Sequence, residues 1–154
     1  MLVAIAIALH LLSAVVWVGG MFFAYVVLRP ASLKLLEPAQ RLRLWSDTLR
    51  RFFAWVWVAI ILLVLTGFGM VFGIYGGMGH AGLHIHIMNA IAWIMIALFV
   101  YLNLGPIKGL GASVAISDWP AAGEYLARIR RVVAINLSLG LTIVVVASAG
   151  RHLA

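Results

Sequence analysis

Histidine is the residue type with most to offer chemically in this 154-residue chain, and its five copies are unevenly placed. His10 stands inside the first apolar run, His80 in a glycine-rich turn, His84 and His86 at the start of the third run, and His152 near the C-terminus. A neutral imidazole can give one nitrogen to a metal while the other hydrogen-bonds. Two of them on facing helices therefore suit the axial positions of a b-type haem, and equally a copper ion. At about 1.5 Å of rise per residue, His10 lies on the order of 12 Å inside its span. His86 is the expected partner across the bundle, with His84 as the alternative. These two are about 200° apart on a helix, so one turns inward as the other turns out, and they cannot chelate one ion together. Cysteine is absent, which excludes disulfides, thiolate metal sites, cysteine nucleophiles and cysteine-ligated iron–sulfur clusters. No carboxylate, lysine or arginine falls in the middle of an apolar run, where a charge would cost roughly 2.5 to 3.5 kcal/mol.

The surroundings bear on haem against copper. A porphyrin needs a slot lined by small residues, and Gly19, Gly20, Gly67, Gly69 and Gly140 could line one. Its propionates need a cation at the membrane edge, for which Arg151 beside His152 is suited. Copper(I) prefers thioether sulfur, and Met21, Met70, Met78, Met88 and Met95 are spread along the chain without a Met-x-Met or Met-x-x-x-Met pattern. Plainer roles exist for the same residues. A histidine within a span can bond a neighbouring helix, paired glycines permit close helix packing, and Asn89, Asn103 and Asn136 can bond across helices. Trp17, Trp55, Trp57 and Trp93 suit packing or the membrane interface.

The elements that must position these groups follow from composition. Hydrophobic residues make up 66% of the chain and charged residues 10%, with a mean hydropathy of +1.15, which rules out a soluble globule. Four charge-free runs, about 2–28, 52–75, 84–105 and 132–150, are each long enough to cross a bilayer. The expectation is a single all-α transmembrane four-helix bundle over residues 1–154. The first run begins without a basic segment and is about twice the length of a signal-peptide core, so it reads as a retained helix ending at Arg29-Pro30.

The net charge of +7 is explained by position. Arg29, Lys34, Arg41, Arg43, Arg50 and Arg51 fall in the 29–51 connector, Lys108, Arg128, Arg130 and Arg131 in the 106–131 connector, and none in the 76–83 loop. The positive-inside rule then puts both connectors in the cytoplasm and both termini on the outer face of a bacterial inner membrane, which makes a nucleic-acid partner unnecessary. All five histidines consequently fall in the outer half. The lipid bilayer is the expected partner, with a quinol, a periplasmic redox protein or a second copy of the chain as further candidates. Each connector carries helix signals: Pro38 after Glu37 with Leu42, Trp45 and Leu49 at helical spacing, and Ser117-Asp118 as a cap before Pro120. Their arginines serve as topology anchors, or alternatively contact anionic lipid or a docking partner.

The segment His10-Leu11-Leu12-Ser13-Ala14-Val15-Val16-Trp17-Val18-Gly19-Gly20 resembles the opening helix of the CopD family of copper-resistance membrane proteins. Together with Arg29-Pro30 and Leu83-His84-Ile85-His86, it is also similar to the four-helix HemJ-type protoporphyrinogen oxidases. The HemJ resemblance implies a functional histidine at His10 and places His86 where those proteins carry a lysine. A second imidazole there points toward haem ligation rather than protoporphyrinogen oxidation. Taken together, the expectation is a membrane haem b protein for electron transfer or porphyrin-linked redox, with His10 and His86 as ligands, His84 as alternative and Arg151 near the propionates. The alternatives are a copper-binding or copper-transport protein using His10, His84, His86 and Met88, and an accessory subunit without a cofactor.

Overall fold

A computed structural model describes residues 1–149, all of whose regular structure is helical. Helix α1 runs Leu2–Leu35, α2 Pro38–Tyr75, α3 Leu83–Leu104, α4 Pro106–Ala115 and α5 Trp119–Ala149. A single 3₁₀ turn, Met78–His80, lies between α2 and α3. Four helical stretches, the third formed by α3 with α4, are long and apolar enough to cross a membrane. Gly76 ends α2 in the left-handed conformation at φ 69°, which costs a residue without a Cβ least.

The helices signalled in the two connectors run on directly into the spans that follow them. Glu37 and Gln40 form a capping box at the start of α2, which then continues without a break through the apolar run, burying Leu42, Trp45 and Leu49 on the way. Asp118 Oδ1 accepts from the Ala121 N–H at 3.1 Å and opens α5 a full thirteen residues before its apolar run.

The expected stop at Arg29-Pro30 does not occur. Helix α1 passes through Pro30 to Leu35 because the preceding stretch Phe23–Leu28 is π-helical. There the Arg29 N–H bonds Ala24 O, five residues back, and this wider turn absorbs the missing N–H and the ring of the proline. A second π-helical stretch, Val15–Gly19, carries Trp17 into the core.

Trp17, Phe53 and Trp57 surround Phe99, with ring centroids 6.1, 4.7 and 5.2 Å from it. Toward the connector end the core continues through Leu102, Leu110, Leu126 and Ile129. The outer faces of the helices are apolar, with Leu12, Val15, Trp55, Leu65, Phe72 and Val145 all exposed. Such a surface has the bilayer as its solvent. Lipid is as apolar as leucine, so association of these helices depends on close packing and interhelical hydrogen bonds. Gly20 lies directly against the Phe52 ring, and Gly140 lies where a Cβ would come within 2.9 Å of Val18 Cγ2 and 3.2 Å of Met95 Cε. Asn136 supplies a polar tie, donating from Nδ2 to Met95 O at 3.4 Å.

A thioether and imidazole cavity between the helices

Near the turn that joins α2 to α3, the helices part around a cavity of about 290 Å³. His10, Ala14, Trp17 and Val18 of α1 line one wall, Leu63, Gly67, Met70 and Val71 of α2 another, and Ile85, Met88, Asn89 and Met95 of α3 a third. Gly140 and Ile143 of α5 and Met78 of the connecting turn complete it. The lining is almost wholly apolar; its polar side chains are the His10 imidazole, the Asn89 amide and the Trp17 and Trp93 indoles.

The His10 ring is fixed by its neighbours on α2. Thr66 Oγ1 donates its proton to the Leu62 carbonyl one turn back, so its oxygen is free to accept, and His10 Nδ1 lies 2.9 Å from it. In that arrangement the Nδ1–H donates to Thr66 Oγ1 and Nε2 carries the lone pair of the ring. Gly67 provides the room: a Cβ there would stand 3.3 Å from His10 Cε1. The interhelical bond and a ligand role are thus compatible, since each uses a different ring nitrogen. An outer hydrogen bond of this kind also fixes the tautomer and orientation of a metal-binding imidazole.

Four methionines share the cavity with His10: Met70, Met78, Met88 and Met95. Their scatter along the chain gave no pattern at short range, yet Met88 and Met95 are seven residues apart, two turns of one helix face. Thr66 and Met70 stand in the same way one turn apart on α2. A search at i,i+7 would have found the first pair. No sequence spacing connects α2 to α3 or either to His10.

The expected second imidazole is not at this cavity. The face of α3 turned toward it is centred on Ile85, Ala92 and Ile96. His84 and His86 flank Ile85, each about 100° around the helix from it. His86 is exposed, His84 is half-buried beside Gly82, and neither is a cavity residue. His80 is exposed in the connecting turn. Among the described residues no three of His, Asp and Glu group to hold a metal ion. Arg151 and His152, the expected partners for haem propionates, lie outside the described residues. Of the glycines offered for a porphyrin slot, Gly67 and Gly140 border the cavity, while Gly19 and Gly69 have nothing close to them. Asn89, one of the asparagines able to bond across helices, lines the cavity.

The arrangement defines a polytopic helical membrane protein with a methionine-lined apolar cavity between its spans. The family model for copper resistance protein D (CopD) matches residues 46–149, well over half of the chain, and the chain belongs to that family of multi-pass inner-membrane proteins. Thr66, Met70, Met88 and Met95 fall within the matched region, whereas His10 precedes it. No curated protein and no solved structure matches the chain.

Proposed function

We propose that the chain takes up copper(I) as cargo in the cavity, with His10 Nε2 as the nitrogen donor and Met70, Met78, Met88 and Met95 as alternative sulfur donors. The observation that carries this reading is that four methionines and one histidine line a single apolar cavity. Copper(I) is soft and is satisfied by few ligands, whereas harder divalent ions want carboxylates or several imidazoles, which this cavity lacks. The sulfurs are distributed in depth. Met78 belongs to the connecting turn, and Met88 and Met95 are about 10 Å apart along α3. Neutral, weakly binding thioethers at successive depths allow an ion to be exchanged from one to the next, with the oriented imidazole as the firmest donor. One turn past Met95 stands Phe99 with its aromatic cluster in the packed core, which favours one-sided loading over an open channel. If the basic connectors are cytoplasmic, as the charge distribution predicts, loading is from the outer face.

Haem ligation by a His10 and His86 pair draws no support from this arrangement, because His86 is turned away from the cavity that holds His10. One experiment separates the two. The detergent-purified protein is titrated with copper(I) under reducing conditions against a chromophoric competitor, and its visible spectrum is recorded before and after dithionite. The expected result is about one copper ion per chain, affinity lost in His10→Ala and weakened in Met88→Leu, and no Soret band. Undiminished copper binding by His10→Ala, or a Soret band with sharp α and β bands on reduction, overturns the proposal.

A further inference from the structure

At the connector end of the bundle, three helices bring arginines together with no counter-ion among the described residues. Arg29 of α1 and Arg130 of α5 border one crevice, along with Tyr25, Trp45, Leu49 and Leu126. Arg41 of α2 stands one turn before Trp45 on the helix face that lines this crevice, and its charge and that of Arg29 both act on Arg130. Arg29 stacks on Tyr25, 5.0 Å from the ring centroid, and its Nε–H is buried with no acceptor among the described residues. The only ion pairs among the described residues are those of Asp47 with Arg50 and Arg51, so no carboxylate relieves the cluster. The positive-inside rule requires basic residues in these connectors. It gives no reason for three of them to converge from separate helices into mutual repulsion, or for one to bury a donor unpaired.

We infer that Arg29, Arg41 and Arg130 form a binding site for a phosphate oxyanion, supplied by the headgroup of an anionic lipid. Planar guanidinium groups match phosphate oxygens in geometry as well as charge, and a bound phosphate gives the buried Arg29 Nε–H its acceptor. The depth is right for a headgroup: Arg29 directly follows the apolar run of α1, and Arg130 stands two residues before that of α5. Half-buried Ala24 and Val133 border the same crevice and give the acyl chains attached to such a phosphate an apolar edge, with Leu49 and Leu126 behind them in the core. The site is remote from the His10 cavity and independent of the copper reading.

The test uses the full chain in a mild uncharged detergent, with thermal unfolding followed as short-chain phosphatidylglycerol, phosphatidylcholine of the same chains, or inorganic phosphate is added. Phosphatidylglycerol is expected to raise the midpoint and phosphatidylcholine to leave it unchanged. In Arg130→Gln the apparent affinity for phosphatidylglycerol falls on the order of tenfold or more, the loss of a charge-assisted hydrogen bond, while Arg128→Gln, an exposed arginine on the same helix, behaves as wild type. Arg130→Gln also relieves repulsion, so it folds without added lipid. A rise with inorganic phosphate as well, lost in Arg130→Gln, supports the oxyanion site and identifies free phosphate as a source. Equal responses to the two lipids, or an equal loss in Arg128→Gln and Arg130→Gln, overturns the inference.

Discussion

Replacing Thr66 by valine removes one oxygen from the wall of the cavity and changes little else. Valine is also β-branched and fills nearly the same volume, so α2 keeps its shape while the His10 Nδ1–H loses the acceptor now 2.9 Å away. An interhelical hydrogen bond within a membrane contributes about 0.6 to 1.7 kcal/mol, and leaving the imidazole N–H unpaired in an apolar cavity adds to that loss. A destabilisation of about 1 to 2 kcal/mol is expected, measurable as an earlier transition in denaturing-detergent titrations. The larger effect falls on binding. With neither tautomer nor ring orientation fixed, Nε2 is no longer a pre-set donor, and loss of such an outer partner typically costs about 10- to 100-fold in metal affinity. That corresponds to about 1.4 to 2.7 kcal/mol. Competition titration with copper(I) reads this directly, and Thr66→Ser, which restores a hydroxyl, should recover most of it. If Thr66→Val binds copper(I) within about threefold of wild type while His10→Ala does not bind, the hydrogen bond does not orient the ligand and the reasoning fails.

Gly140→Ala should destabilise the bundle by about 1 to 3 kcal/mol, because the new Cβ would meet Val18 Cγ2 at 2.9 Å and force α1 and α5 apart; denaturing-detergent titration measures it. Asp118→Ala should cost about 1 kcal/mol in the same assay through loss of the cap on Ala121 N–H, with copper(I) binding unchanged because α5 begins at the opposite end from the cavity. Trp45→Phe removes the indole N–H that donates to Ser32 Oγ at 3.2 Å and should lower stability by about 1 kcal/mol, leaving a folded protein by circular dichroism. For orientation, single cysteines at the exposed positions Gly79 and Glu124 are expected to react with an impermeant thiol reagent from the outer and cytoplasmic sides respectively; the reverse labelling would reverse the loading face.

Much of the architecture is written along the chain. A bilayer sorts residues by hydropathy one segment at a time, so four charge-free runs suffice to specify four helices whatever surrounds them. Caps are equally local: Glu37 with Gln40 and Asp118 with Ala121 act within a single turn, and the sequence placed both helix starts correctly. Pro30 was misread because its usual cost assumes α-helical spacing, and the π-helical turn ahead of it removes the clash. His10 stood out in the sequence because a lone ionisable group in a span needs a reason. Its partner Thr66 did not, being 56 residues away.

Only the tertiary structure decided what meets at the cavity. The rotation of α3 about its axis, set by packing of Met95 and Phe99 in the core, turns Ile85 inward and leaves His84 and His86 on either flank. The same rotation brings Met88 and Met95 toward Met70 and His10, and at the other end a comparable convergence gathers Arg29, Arg41 and Arg130. Hydropathy fixes that a helix crosses the membrane but is nearly indifferent to its rotation when both lipid and core are apolar. Rotation is fixed by close packing between helices far apart in sequence, and for this protein it determines which donors share a cavity.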